Sequence, residues 1–208
     1  EWFSLEHLTS DRFVPFMERS YLFDMAQTSA FNNGFSPGVS AFRTWADRQI
    51  FTAIGVYKNI SDPFQFGVGD GEYAVTGRAG WTAVYRPEEQ RVAWVGGAMS
   101  HRDPVGDTVQ VRARELIRNA PGPLLPGIAN SGNLLATSHR LFNLEAAATY
   151  EALVVQGEYQ VVMVDNARTP GNAAANPPTR PGPSLGDLAF PGAYVQALYF
   201  LTGETQTF

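Results

Sequence analysis

The chain has 208 residues, 44% apolar and 17% charged, with 20 Gly, 14 Pro, no Cys and a formal charge of −5. Its size and aromatic content fit a folded unit rather than a disordered one, and the missing cysteines exclude disulfides, thiolate metal sites and Cys nucleophiles. A helical membrane span needs about 20 consecutive apolar residues, whereas Val92 to Met99 is the longest approach, and the dispersed acidic balance argues against a nucleic-acid partner.

The chain opens on Glu1 and Trp2 without a basic stretch and an apolar core, so it reads as a mature protein or as a piece of a larger one. Helical periodicity is almost absent, and period-2 alternation recurs in segments of about ten residues. Candidate strands over 39–45 and 48–58 come first, joined by a short turn at Ala46–Asp47. The clearest strand runs from Glu72 to Tyr85. Tyr73, Val75, Gly77, Ala79, Trp81, Ala83 and Tyr85 form its apolar face, opposite Glu72, Thr76, Arg78 and Thr82. After a turn over Arg86–Gln90 come candidates over 91–101 and 108–116. In the next pair, Leu144, Ala146, Ala148 and Tyr150 oppose Asn143, Glu145 and Thr149. Beyond a turn at Glu151–Ala152, Leu153, Val155, Gly157, Tyr159, Val161 and Met163 oppose Gln156, Glu158 and Gln160. A last strand carries Ala193, Val195, Ala197, Tyr199 and Leu201, which brings the total to about eight or nine.

Long connections occupy 59–71, 102–138 and 165–191, the last a Pro/Asn/Gly-rich loop. Short turns alternating with long loops are the pattern of an outer-membrane barrel. The stretch 102–138 reads equally as one loop or as two crossings. The apolar faces are rich in Ala and Gly, which lipid accepts and a close-packed sandwich core does not. The fold class expected is all-β, an antiparallel transmembrane β-barrel. The alternative is a soluble or surface β-sandwich whose long loops bind a partner.

Several strings resemble the phosphate-selective porin O and P family of Gram-negative outer membranes. Leu5-Glu6-His7-Leu8-Thr9-Ser10 with Phe16-Met17-Glu18-Arg19 is similar to its early segment, and Gly69-Asp70-Gly71-Glu72-Tyr73-Ala74-Val75-Thr76-Gly77-Arg78 to a loop leading into a strand. Gln156-Gly157-Glu158-Tyr159 is similar to part of a later hairpin. The most specific string runs from Gly192 to Glu204 and ends in Leu-Thr-Gly-Glu. The resemblance implies a barrel of about 16 strands, usually a homotrimer, of which 1–208 would be one partial domain truncated at both ends. It also implies passive diffusion of small inorganic anions such as phosphate or polyphosphate through a water-filled pore in the outer membrane. With the bilayer as partner, no cofactor is expected.

Fourteen of the fifteen basic residues are Arg, Lys58 being the exception. The planar guanidinium fork binds oxyanions in bidentate fashion. Arg78, on the polar face of the clearest strand, and Arg112, Arg114 and Arg118 are the candidate anion contacts. Glu145 and Glu158 point to the same side and lower its positive potential. Catalytic motifs are missing: there is no nucleophile elbow, zinc-binding His pair or Walker loop. His7, His101 and His139 lack ligand spacing. Neither catalytic nor metal residues are assigned.

Overall fold

The structure is a computed structural model that describes residues 38–47, 49–58, 72–113, 129–171 and 181–203. Seven long strands dominate it: β1 (Gly38–Trp45), β2 (Ile50–Lys58), β3 (Tyr73–Arg86), β4 (Arg91–Arg102), β9 (Ser138–Tyr150), β10 (Leu153–Pro170) and β11 (Pro181–Tyr199). Four two-residue strands lie between β4 and β9, namely β5 (Thr108–Val109), β6 (Arg112–Ala113), β7 (Ala129–Asn130) and β8 (Leu134–Leu135). All pairings are antiparallel. The long strands follow one another in a single nine-stranded sheet that β5 and β8 extend, and β6 pairs with β7 apart from it. Among the described residues β1 and β11 have one neighbour each, so the sheet is not closed. It is one sheet rather than the two stacked sheets of a sandwich.

The turns fall where the alternation breaks. Ala46 and Asp47, Gln90 and Glu151 adopt positive φ of 48°, 53°, 54° and 53°, and reverse the chain at three short turns. Because successive long strands are antiparallel, these turns and Gly203, with φ 82°, share one end of the sheet. The long connections share the other end.

Register settles the stretch 102–138. Strand β4 pairs directly with β9 from Arg91 opposite Tyr150 to Arg102 opposite His139, which leaves 103–137 as a single connection. Of the strand expected over 108–116, the described part is broken into Thr108–Val109 and Arg112–Ala113, which pair with different short strands, β8 and β7, and 114–116 lie outside the described residues. Strand β8 continues the line of β9 along β10, with Leu135 opposite Arg168, and β5 pairs with β8.

The loop expected over 165–191 is also much shorter. Strand β10 continues to Pro170 and β11 begins at Pro181, absorbing the Pro- and Gly-rich composition as irregular pairing. Asn166 and Gly186, with φ of 51° and 74°, mark the register shifts. A bulge lets such residues join a ladder that a regular strand would deny them.

The two faces have inverted polarity. Thr76, Arg78, Asn143, Glu145, Gln156, Glu158 and Gln160 are buried, whereas Val75, Trp81, Val95, Met99, Leu144, Tyr159 and Val195 are exposed. In a water-soluble fold the apolar face would be covered. On β9 and β10 the exposed apolar band runs from Tyr150 and Leu153 to Arg140 and Asp165, where the arginine Nη2 donates to the carboxylate. Ten residues extend about 33 Å and cover about 23 Å when tilted by about 45°, close to the apolar band of an outer-membrane barrel. Trp45, Tyr85, Tyr150 and Tyr199 are exposed near the short-turn end, where such barrels carry an aromatic girdle. Toward the other end, Ala98, Leu141, Val162, Val164 and Ala167 form a small apolar cluster with Val109 and Ala136 of the 103–137 connection.

Candidate functional site: a polar belt on the buried face

The polar side chains of the long strands meet in a belt, and cross-strand register determines which of them meet. One row runs Arg78, Ala98, Asn143, Gln160 across β3, β4, β9 and β10. The row two residues away runs Gly80, Gly96, Glu145, Glu158, Tyr194 and reaches β11. Neighbouring strands are about 4.8 Å apart, so a side chain on β3 must cross β4 to reach β9. Arg78 does so, and its Nη2 donates to Glu145 Oε1. The small residues between them, Ala98 and Gly96, leave that path open.

Glycine at two positions is required by close approach. A Cβ on Gly80 would stand 2.0 Å from Trp94 Cζ2, so the indole lies directly over that backbone. A Cβ on Gly96 would stand 2.7 Å from Glu145 Oε1 and 3.1 Å from Trp94 Nε1. Seated this way, Trp94 Nε1 donates to Glu145 Oε1 at 2.7 Å, and Asn143 Nδ2 donates to Glu145 Oε2 at 2.9 Å. Glu145 therefore accepts from three donors.

Glu158 stands directly opposite Glu145. Like charges in that relation repel, and each carboxylate is met by its own donors. Tyr194 Oη donates to Glu158 Oε1 at 2.7 Å and Gln160 Nε2 to Oε2 at 2.9 Å. Among the described residues of these two rows, one guanidinium stands against two carboxylates. Arg78 Nε and Nη1 have no hydrogen-bond partner although the side chain is only 1% exposed. Two of the three guanidinium nitrogens thus remain available to an acceptor that the described residues do not supply.

Of the sequence candidates, Arg78, Glu145 and Glu158 are brought together in this belt. Arg112 stands apart on β6, exposed and opposite Asn130. Arg114 and Arg118 lie outside the described residues, as do His7 and the glycines at 67, 69 and 71. His101 is on the exposed face and His139 on the buried one. No group of three His, Cys, Asp or Glu side chains among the described residues is arranged to hold a metal.

Sequence reasoning missed Trp94, Tyr194, Lys58 and Arg102. Trp94 occupies an even position between Ala93 and Val95, so strict period 2 places it on the polar face, but its size marks it as apolar. Lys58 Nζ donates to the Glu72 carbonyl at 3.1 Å and to its carboxylate at 3.3 Å, while Gly106 N donates to the same carboxylate at 2.8 Å. Glu72 thereby fastens the start of the 103–137 connection to β2 and β3.

The glycine floor makes a direct prediction. Gly80→Ala drives a methyl group into the indole and should destabilise the protein by about 1–3 kcal/mol, the usual range for overpacking. Gly77→Ala should lie within about 0.5 kcal/mol of wild type, since a Cβ there meets nothing within 4 Å. Denaturant unfolding followed by tryptophan fluorescence measures both, and the Gly80→Ala cost should largely disappear in a Trp94→Ala background.

The sequence model of the family described as phosphate-selective porin O and P matches residues 2–208. Searches of curated proteins and of solved structures found no match. A match across nearly the whole chain agrees with an unclosed antiparallel sheet whose polar face is buried. The family implies a channel rather than an enzyme, small anions as its passengers and the outer membrane of a Gram-negative bacterium as its place. The chain belongs to the phosphate-selective porin O and P family, and its function is that of a phosphate-selective outer-membrane porin.

Proposed function

We propose that the buried polar face lines a water-filled passage for small oxyanions such as phosphate or polyphosphate, with Arg78 as an anion contact in its wall. The observation that carries this reading is the Arg78 guanidinium, deeply placed on the polar face with Nε and Nη1 unpartnered. An oxyanion at the guanidinium satisfies donors that are otherwise costly to leave unmade. Arg112, Arg114 and Arg118 are further candidate anion contacts, and Arg112 lies at the end bearing the long connections. No chemistry is required of any residue, since passage depends on the shape and charge of the lining.

In the same reading the exposed apolar face meets lipid, with the short turns on the periplasmic side. The porin assembles as a homotrimer, and the barrel closes through strands additional to those described. Closure is needed because unpaired strand edges are not tolerated in hydrocarbon.

Two outcomes test this. In planar bilayers, neutralising Arg78 (Arg78→Gln) should lower the anion-to-cation permeability ratio and weaken the block of chloride current by inorganic phosphate several-fold. Arg112→Gln should reduce anion conductance at low salt and lose that effect at high salt, where screening is short-ranged. No conductance at all would overturn the passage. For the lipid face, Ala146→Arg in the middle of the apolar band should cost about 2–4 kcal/mol and Tyr150→Arg at its margin about 0–1 kcal/mol, read by unfolding from lipid vesicles. Equal costs at the two depths would count against a bilayer on that face.

A further inference from the structure

We infer that Glu145 is a tethered competitor for the oxyanion site of Arg78, a carboxylate built into the wall that a passing anion must displace. The inference rests on the reading of Arg78 as an anion contact and concerns what sets the strength of that contact. Three features of the belt carry it.

The pairing is monodentate. Only Nη2 of Arg78 reaches Glu145, whereas Nε and Nη1 have no partner among the described residues. A guanidinium makes its best bond to an oxyanion through two parallel N–H groups. Both edges that offer such a pair, Nε with Nη2 and Nη1 with Nη2, include the nitrogen that Glu145 holds, so an incoming phosphate that binds either edge competes with the carboxylate.

The carboxylate also has somewhere to stay. When Arg78 turns to an incoming anion, Oε1 keeps Trp94 Nε1 at 2.7 Å and Oε2 keeps Asn143 Nδ2 at 2.9 Å. Neither oxygen is left bare, so the exchange avoids the large cost of stranding a buried charge. The third feature is the wall itself. Glu158 opposite Glu145 is held by Tyr194 and Gln160 rather than by Arg78. Of the two carboxylates, Glu145 is the one whose contact with the guanidinium the anion replaces. A site of this kind binds phosphate less tightly than a bare arginine and releases it more readily, which suits a passage rather than a trap.

The test separates competition from simple charge. Glu145→Asp keeps the negative charge but withdraws the carboxylate by one methylene. The half-blocking concentration of inorganic phosphate for chloride current through the full-length porin should fall about tenfold, or about 1.4 kcal/mol. Glu145→Gln should lower it at least as far. Trp94→Phe removes a donor that holds Glu145 away from exclusive pairing with Arg78, and it should raise the half-blocking concentration. That variant keeps the proposal open to refutation if the Glu145 variants fail to assemble. In an Arg78→Gln background the Glu145→Asp effect should vanish, because the cycle isolates the pair.

Glu145→Asp behaving as wild type, the same shift with Arg78 absent, or Trp94→Phe tightening the block would each overturn the competitor. Those results would leave Arg78 as an anion contact intact. Phosphate block unchanged by Arg78→Gln alone would instead remove the underlying reading, and the competitor with it.

Discussion

Burying charge on the inner face of a sheet is the constraint from which the other features of this protein follow. A sheet with Val, Leu, Met and aromatic side chains outside must turn its Arg, Glu, Gln and Asn side chains inward, where an unmet donor or acceptor costs more than in water. The backbone is satisfied along the ladders. The side chains meet one another, and cross-strand register decides the partners, while Arg78 Nε and Nη1 have none among the described residues. Arg78, Trp94 and Asn143 converge on Glu145 because β3, β4 and β9 are adjacent in a register that brings Gly80, Gly96 and Glu145 into one row.

The same constraint explains the small residues. An arginine on one strand reaches a carboxylate two strands away only if the strand between them offers little side chain, and Ala98 and Gly96 meet that condition. An indole lies flat on the wall only where the backbone beneath has no Cβ, as at Gly80. On the outer face, which the proposed function turns to lipid, alanine and glycine cost little because lipid does not have to be packed as a protein core does. Small residues thus have different reasons on the two faces. Inside they make room for a polar network, and outside they face a solvent that fills gaps by itself.

The ends of the sheet differ in kind. Tight turns with residues at positive φ close one end, and the other carries connections that themselves pair and pack. Glu72 ties Lys58 and Gly106 together, and Val109 and Ala136 extend the apolar cluster of the wall. The connection over 103–137 therefore begins and ends in fixed positions relative to the polar belt.

Alternation by itself determined the central parts of the seven long strands, the assignment of their faces and the turns at Ala46–Asp47, Arg86–Gln90 and Glu151–Ala152, because a period of 2 is a local property of each segment. It also placed Arg78, Glu145 and Glu158 on one side. The loop or double crossing at 102–138 was settled only when β4 was found paired with β9, since pairing between distant segments leaves no local mark. The proline-rich stretch over 165–191 looked like loop because composition penalises regular strand, and the register shifts that admit it are a property of the pair β10 and β11. The partnership of Arg78 with Glu145 spans 67 residues of sequence. Which charges cancel and which guanidinium nitrogens stay open depends on register between strands far apart in the chain, and that is decided by the tertiary structure alone.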